Sequence, residues 1–160
     1  MSDLAPVPHD GSHLTNKQAD TIITYIKRCQ TILHLDHWRI RIARDLPPEH
    51  AIAMIEPTDG RRFALIYLQH DWWDRTPADK RTDIAHELLH ILHHDTDEHI
   101  RRFLNESDDI SPAVTDLTLT QFKTNLERMV DHLSYVVDQL LPPWPKPKPK
   151  KKQKNKKKKP

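Results

Sequence analysis

His86 and His90 stand four residues apart in the run His86-Glu87-Leu88-Leu89-His90. On a helix, residues at this spacing share a face, so both imidazoles can reach one metal ion. Glu87 follows the first histidine directly and lies beside the pair, within reach of a water held by that ion. Zinc bound by two imidazoles needs a third protein ligand and leaves a fourth position for water or substrate. The motif therefore requires another ligand elsewhere in the chain.

The chain has 12 histidines, so chance pairings are common and the helical context carries weight. With His86 at zero on a helical wheel, His90 falls near 40° and Glu87 near about 100°. Ile84, Leu88, Ile91 and Leu92 fall roughly between 140° and 240°, giving a buried face separate from the His/Glu face. Acidic and histidine candidates for the third ligand run from His93 to Asp131. His93 lies about 10 Å along the helix from His86, poorly placed to share its ion. The longer three-histidine motif is absent, because position 93 is His rather than Gly and position 96 is Thr. Glu127 is better placed. It sits on a later amphipathic helix whose apolar arc holds Phe122, Leu126, Met129, Val130, Leu133, Val136, Val137 and Leu140. Asp131, one turn beyond Glu127, can accept the free N–H of a ligating imidazole and set its tautomer.

These side chains need a frame. Thr15 caps an expected helix over about residues 16–33, and residues 38–43 alternate as a half-buried strand. Residues 51–68 read as a hairpin around Pro57-Thr58-Asp59-Gly60, where the glycine tolerates a positive φ. Thr76 and Pro77 begin a helix expected to reach about His94, with a short helical turn near residues 97–104. A last helix, from Ala113 or Asp116 to Leu141, is stopped by Pro142-Pro143. The expectation is an α+β domain with a three-stranded antiparallel sheet packed against an N-terminal helix, the His86–His90 helix and a C-terminal ligand helix.

The 160 residues suit one domain. Residues 1–14 read as a flexible leader, 15–141 as the domain, and 142–160 as a disordered Pro/Lys-rich tail. Ten of the 25 basic residues lie in that tail, so the rest carries 15 basic against 23 acidic residues, a formal charge of −8. An acidic body argues against a nucleic-acid groove on the domain. The tail suits non-specific contact with nucleic acid or an acidic partner. Cys29 is the only cysteine, which excludes an intramolecular disulfide and a multi-cysteine metal site. The N-terminus lacks a signal-peptide pattern, and no apolar run approaches the roughly 20 residues that span a bilayer. A soluble, cytoplasmic protein without membrane contact is expected.

HELLH at 86–90, followed by Glu127-Arg128-Met129-Val130-Asp131, resembles the gluzincin pattern of H-E-x-x-H and a later E-x-x-x-D. The run RFALIYLQHDWWDRTPADKRTDIAHELLHILHH is also similar to small ImmA/IrrE-type zincins and to zincin-like proteins of bacteriophages. The resemblance covers about residues 38–140 and implies a zinc-dependent metallopeptidase, intracellular and compatible with a phage-encoded protein in a bacterial host. It implies His86, His90 and Glu127 as zinc ligands and Glu87 as the general base acting on a protein or peptide substrate. Leu89 stands where many relatives have Gly, a change that leaves the ligands untouched. Tyr67, His99, His132 and Tyr135 are available as additional donors, and the strand at 62–68 as an edge for an extended peptide. The alternatives are a non-catalytic zinc-stabilised domain whose basic tail binds nucleic acid or an acidic partner, and a phage accessory protein.

Overall fold

A computed structural model describes residues 14–58, 60–107 and 109–146. The expected leader (apart from Leu14), Asp59 of the hairpin turn, and the lysine tail from residue 147 lie outside the described residues. The order is α1 (Asn16–Ile32), β1 (Arg39–Ile42), β2 (Ala53–Pro57), β3 (Phe63–Leu68), a 3₁₀ turn (Trp72–Asp74), α2 (Pro77–Glu106) and α3 (Pro112–Leu140).

Thr15 and Gln18 form a reciprocal cap on α1: the Thr15 hydroxyl accepts from the Gln18 N–H, and the Gln18 side chain accepts from the Thr15 N–H. α1 buries Ala19, Ile22, Tyr25, Ile26 and Cys29. It ends with His34 at φ 56, and Leu35 N–H closes back onto Gln30 O at 2.7 Å.

The architecture is α+β, but the sheet is mixed rather than antiparallel. Its order is β1-β3-β2, with β3 parallel to β1 and antiparallel to β2. The strands alternate in direction as expected from consecutive short strands. The difference arises because β3 inserts between β1 and β2, so β1 meets a strand running its own way. Residues 43–52, with Pro47 and Pro48, carry the chain across that gap. Ala64, Ile66 and Leu68 of β3 are buried. As the central strand it has no free edge, so the expected pairing of 62–68 with a peptide is corrected: the open edges belong to β1 and β2.

α2 is one helix of 30 residues, where the sequence suggested a helix to 94 and a separate turn. The stretch around His93–Asp97 lacks apolar periodicity but contains no Gly or Pro to break it. Beyond it, Arg101 pairs with Asp97 and Arg102 with Glu98 at i,i+4 spacing. Thr76 caps the start by accepting from Asp79 N–H, with Pro77 in the first turn.

α3, capped by Ser111, returns antiparallel along α2. Arg81 fastens the far end, with Nε 2.9 Å from Asp138 Oδ1 and Nη2 donating to Asp138 O at 2.7 Å. α3 packs through the side that carries Thr115, Val130 and Ser134. Half of the eight-residue apolar arc faces outward: Met129, Leu133, Val136 and Leu140 are exposed. One neighbouring helix covers a narrower stripe than eight apolar residues occupy, and small side chains let the backbones approach along that stripe.

The main core lies between α1, the sheet and the first half of α2, and includes Ile22, Tyr25, Ile26, Trp72, Ile84 and Leu88. Packing continues past Leu141. Tyr25 Oη donates to Pro142 O at 2.9 Å, and Trp144 is buried against Tyr25, Trp72 and Trp73. The Lys80 ammonium sits 4.8 Å from the Trp73 ring centre and 5.5 Å from that of Trp144. The packed region thus extends beyond the boundary expected at Leu141. Among the described residues, no helix is long and apolar enough to cross a membrane.

Candidate metal centre

Within α2, Ile84, Ala85, Leu88 and Ile91 are buried and turn one side of the helix to the core. Leu92, assigned to that side by the wheel, is exposed. His86 and His90 leave the helix toward α3, their Nε2 atoms 3.0 Å apart. Glu127 comes from α3, with Oε2 at 3.7 Å from His86 Nε2 and 3.6 Å from His90 Nε2. Among the described residues these three form the one His/Cys/Asp/Glu cluster close enough to hold a metal ion, their ligand atoms all within 4.8 Å of one another.

The three donors are spaced to share one tetrahedral ion. A tetrahedral ion with arms of about 2.0–2.1 Å separates its ligands by roughly 3.3–3.4 Å, and the three observed separations bracket that value. Asp131 Oδ1 lies 3.2 Å from Nδ1 of His86. A carboxylate there favours the proton on Nδ1 and leaves the Nε2 lone pair free for a metal. Burial, the largest influence, holds His90 below its ordinary pKa against the opposing pull of Glu127. The neutral imidazole is the form that ligates.

Glu87, next in sequence to His86, is only 5% exposed. Burial raises its carboxyl to about 8, opposed by a hydrogen bond from the Ile55 backbone and reinforced by the charge on Glu127. The Ile55 contact places edge strand β2 beside the motif, a neighbour that the sequence did not signal because strand order is non-local.

A cavity of about 800 Å³ lies further along α2, and none of His86, Glu87, His90 or Glu127 lines it. It is lined by Ile55, Glu56 and Pro57 of β2, by α2 from His94 to Asn105, and by Lys123 of α3. His94 is one turn past His90 and Lys123 one turn before Glu127. Of the suggested additional donors, the Tyr67 hydroxyl is engaged with Glu56 at 2.7 Å. His99, His132 and Tyr135 are exposed, and no hydrogen bond or ion pair joins them to the cluster among the described residues. Trp72 is fully buried and donates from Nε1 to Asp83, so it anchors the loop to the core. Cys29 is likewise buried, and burial raises its thiol to about 11, far from an activated thiolate.

No family model matches the chain, and neither a curated protein nor a solved structure matches it.

Proposed function

We propose that this chain is a zinc-dependent peptide hydrolase of zincin-like type, with His86, His90 and Glu127 holding the metal and Glu87 as general base. The observation that carries the reading is the convergence of three donors from two helices, with a buried carboxylate next in sequence to the first. A structural zinc site gains little from such a carboxylate, whereas hydrolysis needs one.

Bound zinc would supply Lewis acidity at neutral pH. Glu87, raised into the range where it can both take and return a proton, would accept the proton of the attacking water and deliver it to the leaving amine. Asp131 would hold the His86 ring in register. β2, an edge strand joined to Glu87 through Ile55, would offer unpaired backbone groups to an extended peptide, and the adjoining cavity would receive its side chains.

One observation favours the alternative of a non-catalytic, zinc-stabilised domain. The three donors bridge α2 and α3, and α3 buries few side chains of its own, so a metal there would also fasten the two helices together. The lysine tail would then supply contact with nucleic acid or an acidic partner.

The two readings separate on one experiment. Zinc-loaded protein is incubated with a broad peptide library, and new termini are mapped by mass spectrometry. Peptide-bond cleavage abolished by chelation supports the enzyme. A full zinc complement with no cleavage supports the binding domain.

A further inference from the structure

The exposed side of α3 has a periodicity of its own. Phe122, Leu126, Met129, Leu133, Val136 and Leu140 recur at alternating steps of four and three residues. That alternation of four and three is the pattern by which one helix packs along another. Most of this seam is left open. Phe122 and Leu126 are half-buried, while Met129, Leu133, Val136 and Leu140 are 40%, 38%, 59% and 68% exposed.

The charges beside the seam narrow the choice of partner. On its open flank stand Asn125, His132 and Gln139, with no Asp, Glu, Lys or Arg at those positions. The body carries a formal −8, and these positions add nothing to it. The two ends of α3 differ in sign. The tip of the α2–α3 hairpin bears Glu106, Asp109 and Asp116, all exposed. The opposite end adjoins the segment leading to Lys146, where the ten-lysine sequence begins.

We infer that α3 pairs with α3 of a second copy in an antiparallel arrangement along this seam. Met129 of one copy then meets Leu133 of the other, Leu126 meets Val136, and Phe122 meets Leu140. Each acidic tip comes alongside the end where the other copy's lysines start. Parallel pairing would instead set acidic tip beside acidic tip. The seam from Phe122 to Leu140 is about 27 Å long. A strip about 10 Å wide gives on the order of 300 Å² per copy, below the roughly 800 Å² of a stable standard interface. The dimer is therefore weak and concentration-dependent. The proposal is independent of catalysis.

Sedimentation equilibrium of the full chain, from low micromolar to near millimolar, tests it. The wild type is expected to rise from 18.9 kDa toward twice that mass, while Leu133→Glu/Val136→Glu stays monomeric with an unchanged circular dichroism spectrum. A second measurement tests direction without adding charge. Leu126→Cys mixed with Val136→Cys should give the mixed disulfide under mild oxidation, and Leu140→Cys alone should not pair with itself. Cys29 is fully buried and does not compete. Wild type that remains a monomer throughout overturns the proposal and leaves the seam to a different protein. Undiminished association of the double variant, or self-pairing of Leu140→Cys without the mixed disulfide, overturns it as well.

Discussion

Asp131 Oδ1 lies 3.2 Å from Nδ1 of His86, while Glu127, one turn earlier on the same helix, brings Oε2 to 3.7 Å from Nε2 of that ring. One imidazole is thus addressed at both nitrogens by a single face of α3. On the proposed reading the two carboxylates have different tasks, and their removal should differ in consequence. Asp131→Asn is expected to weaken zinc binding about 10- to 100-fold, the usual cost of removing a carboxylate behind a ligating histidine. Glu127→Ala removes a donor outright and should weaken it further. Competition against a chromophoric chelator measures both. Equal affinities for wild type and Glu127→Ala would remove Glu127 from the site.

The buried Glu87 predicts a pH signature of the metal-free protein. Its carboxyl rises from an ordinary 4.5 to about 8 in the folded chain. Between those values the folded state binds more protons than the unfolded state, so this group's contribution to stability falls as pH rises. His90, held below its ordinary 6.5, works in the opposite sense at the acidic end. Wild type and Glu87→Gln must therefore be compared at each pH. In chelator, the melting temperature of Glu87→Gln relative to wild type should climb steadily from about pH 4.5 to pH 8. A difference independent of pH would contradict the buried, proton-retaining carboxyl.

Trp144 gives the C-terminal segment a structural role up to Lys146. Trp144→Ala should cost about 3–5 kcal/mol, as for other large aromatic side chains removed from a core. Truncation after Leu141 should cost at least as much, since it also removes the acceptor at Pro142. Truncation after Lys146 should leave the denaturation midpoint unchanged. Urea denaturation of the three variants checks this. An unperturbed chain ending at Leu141 would show that Trp144 contributes nothing to the fold.

The local features of the site were readable in the sequence. A four-residue histidine spacing and a four-residue Glu/Asp spacing are properties of single helices, and the structure brings His86, His90, Glu127 and Asp131 to one place. What escaped was non-local. Strand neighbours depend on where the 43–52 connection runs, and chain order alone does not show that β3 is the central strand. α3 turns Thr115, Val130 and Ser134 inward and leaves half of its wide apolar arc outward. Trp144 is one aromatic in a stretch of prolines and lysines, and composition concealed it.

Zinc stoichiometry and peptide cleavage, measured together on wild type and Glu87→Gln, test the central claim most directly. The account predicts about one zinc per chain in both proteins, with chelator-sensitive cleavage in the wild type alone. Loss of zinc from Glu87→Gln, or equal cleavage by the two proteins, would contradict the role assigned to Glu87.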